Sequence, residues 1–110
     1  MWIFTRNSFV SIVASENSPG EYLVQSRFSG HIERLFPEAQ VTLRQYGLYR
    51  FRAVIPRHAV SQKLFDLAEG IDYLDFKNSL SDPTYQAACR DVWATLDKYT
   101  PPPSEPEEIV

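Results

Sequence analysis

The stretch "VTLRQYGLYRFRAVIP", Val41 to Pro56, changes character at every second residue. From Tyr49 to Ile55, the residues Tyr49, Phe51, Ala53 and Ile55 fall on one side of an extended chain and Arg50, Arg52 and Val54 on the other, because successive strand side chains point to opposite faces. The upstream half divides the same way, Val41 and Leu43 against Thr42 and Arg44. Gly47 lies between the halves, free to take the positive φ that a tight turn needs. The spacing predicts a β-hairpin of strands 40–45 and 49–55, with one apolar face and one that carries arginine.

Working outward, "FVSIVAS" (9–15) and "YLVQSR" (22–27) are rich in β-branched residues and partly alternating, and "ENSPGE" between them is turn chemistry. They predict an earlier hairpin, in which Val10, Ile12 and Ala14 face inward and Phe9, Ser11 and Val13 outward. "SGHIERLF" (29–36) repeats Ile32, Leu35 and Phe36 at helical spacing, with Ser29 placed to cap the first amides and Pro37 to end the helix. Downstream, "AVSQKLFDLAEGI" (59–71) sets Val60, Leu64, Leu67, Ala68 and Ile71 on one stripe, with Gly70 at the C-terminus. "DPTYQAACRDVWATLDKY" (82–99) has Asp82 as N-cap, Pro83 at the first helical position, and a stripe of Tyr85, Ala88, Cys89, Val92, Leu96 and Tyr99.

The order is β-β-α-β-β-α followed by a long C-terminal helix. If strand 22–27 crosses over helix 29–36 to strand 40–45, strand 49–55 fits antiparallel between them and strand 9–15 lies beyond 22–27. The expected fold is α+β: a four-stranded antiparallel sheet with helices on one face, ferredoxin-like or a circular permutation of it with the last strand moved to the N-terminus. A plain ferredoxin-like sheet with "YLDFK" (73–77) as its final strand is the rival, against which the charged Asp72 and Asp75 weigh.

The 110 residues, 44% hydrophobic and 14% aromatic, fit one domain over 1–100 with a single modest core. "PPPSEPEEIV" (101–110) has little to bury and reads as a flexible acidic tail. The lone Cys89 excludes an internal disulfide, and no apolar run approaches the roughly 18 to 20 residues that span a bilayer. The opening lacks the pattern of a secretory signal, so a cytoplasmic protein with no membrane partner is expected.

The hairpin parities gather Arg44, Arg50 and Arg52, with Arg27 and Gln25, on the open sheet face beside Phe9, Val13 and Thr42. Such a face can be an inert wetted surface whose arginine stems cover apolar groups. It can also be covered by the C-terminal helix or the tail, with Asp91, Asp97, Glu105, Glu107 or Glu108 meeting the guanidinium groups. The third reading is recognition. The formal charge of −3 and pI near 5.3 weigh against general polyanion binding, and the strand lacks the glycines of an RNA-recognition sheet. Another protein or a second copy is therefore the expected partner, through Arg44, Arg50, Arg52, Arg27 and Phe9. A nucleic-acid-contacting domain using the same face and a ferredoxin-like small-molecule sensor are the alternatives.

The chemical inventory points away from an enzyme. His31, His58 and Cys89 form no ligand or nucleophile pattern, so no catalytic residue, metal or cofactor is assigned. Glu69, Asp72 and Asp75 are read as solvated carboxylates. Tyr73, Phe76 and Trp93 are expected to lock the last helix onto the core.

"MWIFT", "SFVSIV", "YRFRAVIPR", "IDYLDFK" and "VWATL", taken together over residues 1 to 99, resemble a widespread family of small uncharacterised bacterial proteins. That family opens with a Met-Trp-aliphatic-Phe-Thr signature and carries an Ile-Asp-Tyr-x-x-Phe-Lys block. The resemblance implies a recurring fold and no particular activity.

Overall fold

The computed structural model describes residues 1–103. Five strands, β1 (Trp2–Phe4), β2 (Phe9–Ala14), β3 (Glu21–Ser26), β4 (Thr42–Leu43) and β5 (Phe51–Pro56), form one antiparallel sheet in the order β1-β2-β3-β5-β4. Three helices, α1 (His31–Leu35), α2 (Arg57–Glu69) and α3 (Pro83–Asp97), and a 3₁₀ turn at Lys77–Ser79 complete the α+β chain. The expected tail, 101–110, lies outside the described residues from position 104 onward.

The sheet has five strands, one more than the hairpins predict. The extra strand is β1, which the opening "MWIF" contributes. The Met1 amine and carbonyl exchange 2.8 Å bonds with the carbonyl and amide of Ile12, and Thr5 N–H donates to Ser8 O at 2.7 Å to close the turn. This strand shows no alternation of polarity because all three of its residues are apolar: Ile3 packs toward one core, Phe4 toward another, and Trp2 stays exposed.

Two cores exist because helices lie on both faces, which corrects the expectation of helices on one face. On the first face Val10, Ile12, Val24, Ala53 and Ile55 from the sheet meet Ile32, Leu35 and Phe36 around α1 and Val60 of α2. On the other face Phe9 is buried with Leu80, Tyr85 and Cys89, and Phe4, Tyr49 and Phe76 close around them. The Phe4 and Phe9 rings stack with centroids 4.3 Å apart. Tyr49, expected on the first face, precedes β5 and turns to the second.

Local chemistry sets the ends. Asp82 Oδ1 accepts from the amides of Thr84 (2.9 Å) and Tyr85 (3.3 Å), and Pro83 opens α3. At α1 the N-cap is Gly30 at φ 85°, a left-handed conformation, and no side chain caps the helix, so Ser29 does not take that role. Gly47 adopts φ 105°, as the turn at that point requires. The rival strand "YLDFK" forms no strand; Asp75 instead accepts from Lys77 N–H and from Asn78, starting the 3₁₀ turn.

Candidate interaction surface

The ladder registers lay out the second sheet face in rows. Trp2, Ser11, Gln25, Arg52 and Thr42 stand side by side across all five strands. The row beyond is Val13, Leu23 and Val54. On the opposite side of the Arg52 row lies the row of Phe4 and Phe9, the one covered by the 3₁₀ turn and α3. Half of this face is therefore core and half is surface.

The candidate residues distribute across that boundary. Arg44 and Arg50 are exposed at the sheet edge, held together by Arg44 N–H donating to Arg50 O at 2.7 Å and Arg50 Nε donating to Arg44 O at 3.4 Å. Arg52 is half-buried in mid-sheet beside a shallow hollow lined by Leu23, Thr42 and Val54. Its Nε is enclosed and has no hydrogen-bond partner among the described residues. Arg27, just past β3, lies with its guanidinium 5.7 Å from the centroid of the Tyr49 ring. Phe9 retains only 8% exposure, so it belongs to the core beneath α3 and offers nothing to a partner. Parity alone placed it outward, and the covering helix then buried it.

Exposed apolar groups do accompany the arginines. Val13 and Val54 are 40% and 50% exposed, and Trp2 is 66% exposed at the end of the Arg52 row. Trp2 was missed as a surface residue because β1 itself was not legible. Its ring meets Phe9 edge-on at 6.0 Å.

None of the four arginines pairs with a carboxylate among the described residues, where the ion pair present joins Arg6 to Asp72. That pair holds the Asp72 carboxyl below its ordinary value through the Arg6 hydrogen bond and charge. It removes Asp72 from any grouping with Glu69 and Asp75. Among the described residues no three His, Cys, Asp or Glu side chains gather in a way that could hold a metal ion. The Cys89 thiol is buried and pushed up by desolvation, which suits a small apolar side chain and not a nucleophile. No described helix is long and apolar enough to cross a membrane.

No protein-family model, curated protein or solved structure matches the chain.

Proposed function

We propose that the protein is a non-enzymatic cytoplasmic interaction module whose contact surface is the uncovered half of the sheet, and that it takes an acidic segment of a partner protein. The observation that carries this reading is Arg52: its enclosed Nε lacks an acceptor among the described residues, in a row flanked by apolar Leu23 and Val54. A buried donor without a partner costs about 1–3 kcal/mol, which an incoming carboxylate would recover. Arg44 and Arg50 at the edge add charge that steers such a segment, and Val13, Val54 and Trp2 supply apolar area for it to cover. The strands β2 to β5 with α1 and α2 support a ferredoxin-like sheet in circular permutation, to which β1 and α3 are additions. The likeness of "MWIFT" to the small bacterial family belongs to the same proposal, since those residues build β1 and set Trp2 in the exposed row.

Affinity capture from the native cell with wild type and the Arg50→Glu/Arg52→Glu variant tests the reading. The expected result is a protein recovered by wild type at low and moderate salt and lost with the variant. Recovery that is equal for both chains would overturn it. A wild-type complex of nucleic acid that dissolves steeply as salt rises would overturn it in favour of phosphate binding.

A further inference from the structure

β5 is paired along its whole length on one side and at only its first two residues on the other. Toward β3 the ladder runs from Ser26↔Phe51 to Glu21↔Pro56, whereas toward β4 it joins Phe51 and Arg52. The phase of the pairing shows which backbone groups are left open. Arg44 N–H donates to Arg50 O at 2.7 Å, so the hydrogen-bonded pairs on the β4 side fall at Arg50 and, two positions on, at Arg52. Arg57 N–H donates to Gly20 O at 3.0 Å, in step with the β3 ladder, so Phe51, Ala53 and Ile55 bond to β3. Val54 therefore aims its N–H and C=O at the β4 side. Continued pairing would set Gln40 opposite Val54, but β4 begins at Thr42 and no backbone bond joins Gln40 to Val54 among the described residues. Pro56, the next residue aimed that way, has no N–H, so Val54 carries the donor of this open stretch.

The ground on either side of this edge is hollow. On the arginine face Gln40 and Val54 border the depression beside Arg52. Toward α2 the same two residues border a larger hollow of about 690 Å³, within the roughly 300–1,000 Å³ of ligand sites. Its lining is mainly apolar, Phe36, Ala39 and Ile55 among it, with Glu38, His58 and Lys63 as its charged or titratable groups. An open strand edge, two hollows and the Arg52 Nε that lacks an acceptor among the described residues thus meet within two positions of one another.

Charge selects the occupant. Arg44, Arg50 and Arg52 share the face beside the edge, and none pairs with a carboxylate among the described residues. A second copy of this edge would set guanidinium against guanidinium, whereas a segment bearing carboxylates would neutralise it. We propose that the acidic partner segment binds by strand addition: it lies extended along β5, its backbone accepting the Val54 N–H where β4 leaves off. Because side chains alternate along a strand, the segment carries carboxylates at every second position toward Arg52 and apolar side chains between them toward the hollow beside α2. This mode of binding rests on the arginine-face function and adds how the segment is held.

A fluorescein-labelled peptide of four Glu-Val repeats, titrated into the full chain and followed by fluorescence anisotropy, tests this. Wild type is expected to bind it saturably, and to bind a peptide of the same composition with its glutamates and valines in two blocks roughly tenfold more weakly. Val54→Pro removes an N–H that faces no ladder partner, a position where an edge strand tolerates proline, and should weaken binding roughly tenfold. Val54→Ala keeps the N–H and should stay within about threefold of wild type. In wild type, hydrogen exchange at the Val54 amide should slow roughly tenfold on binding, which reads the same contact should Val54→Pro misfold. No saturable binding, equal affinity for the block peptide, full binding by a folded Val54→Pro, or an unprotected Val54 amide would each overturn strand addition. Loss of the probe with Arg50→Glu/Arg52→Glu but not with Val54→Pro would remove the added strand and leave the arginine face standing. A probe held equally by wild type and Arg50→Glu/Arg52→Glu would remove the arginine face as well.

Discussion

Side chains from distant positions converge on the turn between β1 and β2. The Tyr85 hydroxyl is shared between Thr5 O and Ser8 O, each at 2.7 Å. Its burial raises the phenol far above its ordinary value, so it is a donor at any working pH. Tyr85→Phe removes that donor from the Thr5 carbonyl, while Ser8 O keeps its bond from Thr5 N–H. We expect a loss of about 1–2 kcal/mol in urea titration; an unchanged midpoint would mean water replaces the hydroxyl. His31 is buried as well, and its Nδ1 accepts Phe9 N–H at 2.9 Å. Burial, with Arg34 acting in the same sense, holds the imidazole below its ordinary 6.5. The folded chain thus binds that proton more weakly than the unfolded chain. Unfolding takes up a proton below pH 6.5, and stability falls as pH drops from there toward the lowered folded value. The melting temperature should decline over that window in wild type, and His31→Gln, whose amide oxygen can still accept from Phe9, should flatten the decline. None of this was legible in "HIERL", because the partner of His31 sits 22 positions upstream.

Among the elements, alternation and turn chemistry marked β2, β3 and β5 well, since each has one face on a core and a composition to match. β1 escaped because its three residues are all apolar and carry no period, even though Trp2 is exposed. β4 shrank from the expected 40–45 to Thr42–Leu43, where its outer residues have only β5 to bond. The apolar stripe of α3 was visible, but a stripe tells which side of a helix is apolar and not what meets it. Trp93 is the sharpest case. Expected in the core, it lies open with the Lys77 ammonium 3.7 Å from the centroid of its ring. A core tryptophan loses about 3–5 kcal/mol on truncation. For Trp93→Ala in dilute protein we expect a loss of about 1 kcal/mol or less, the scale of an exposed cation–π contact, read from thermal unfolding. A larger loss would place the indole in a packed site.

For the whole molecule, the order of β2, β3, β5 and β4 followed from hairpin pairing and one crossover, which is why it could be derived from local pattern alone. The face that receives α3 could not, because the connection from Gly70 to Asp82 carries no periodic signal. That placement decides the candidate surface. It converts Phe9 from an exposed neighbour of the arginines into the floor of a second core, and it leaves Arg52 and the Val13, Leu23 and Val54 row outside.

Phe9 accordingly joins the two layers: its ring lies under α3, while its amide and carbonyl bond His31 and the buried Ser26 hydroxyl on the other side. Phe9→Ala should cost about 3–5 kcal/mol, a large share of the 5–15 kcal/mol that holds a domain of this size. The loss should be uneven. α1 and α2 keep their own contacts with Val10, Val24 and Ile55, whereas α3 retains only Tyr85, Cys89 and Leu80 as buried anchors. Hydrogen exchange on Phe9→Ala should therefore accelerate first in Pro83–Asp97, with β3 and β5 still protected. Uniform acceleration across sheet and helix would mean that the two cores unfold as one unit.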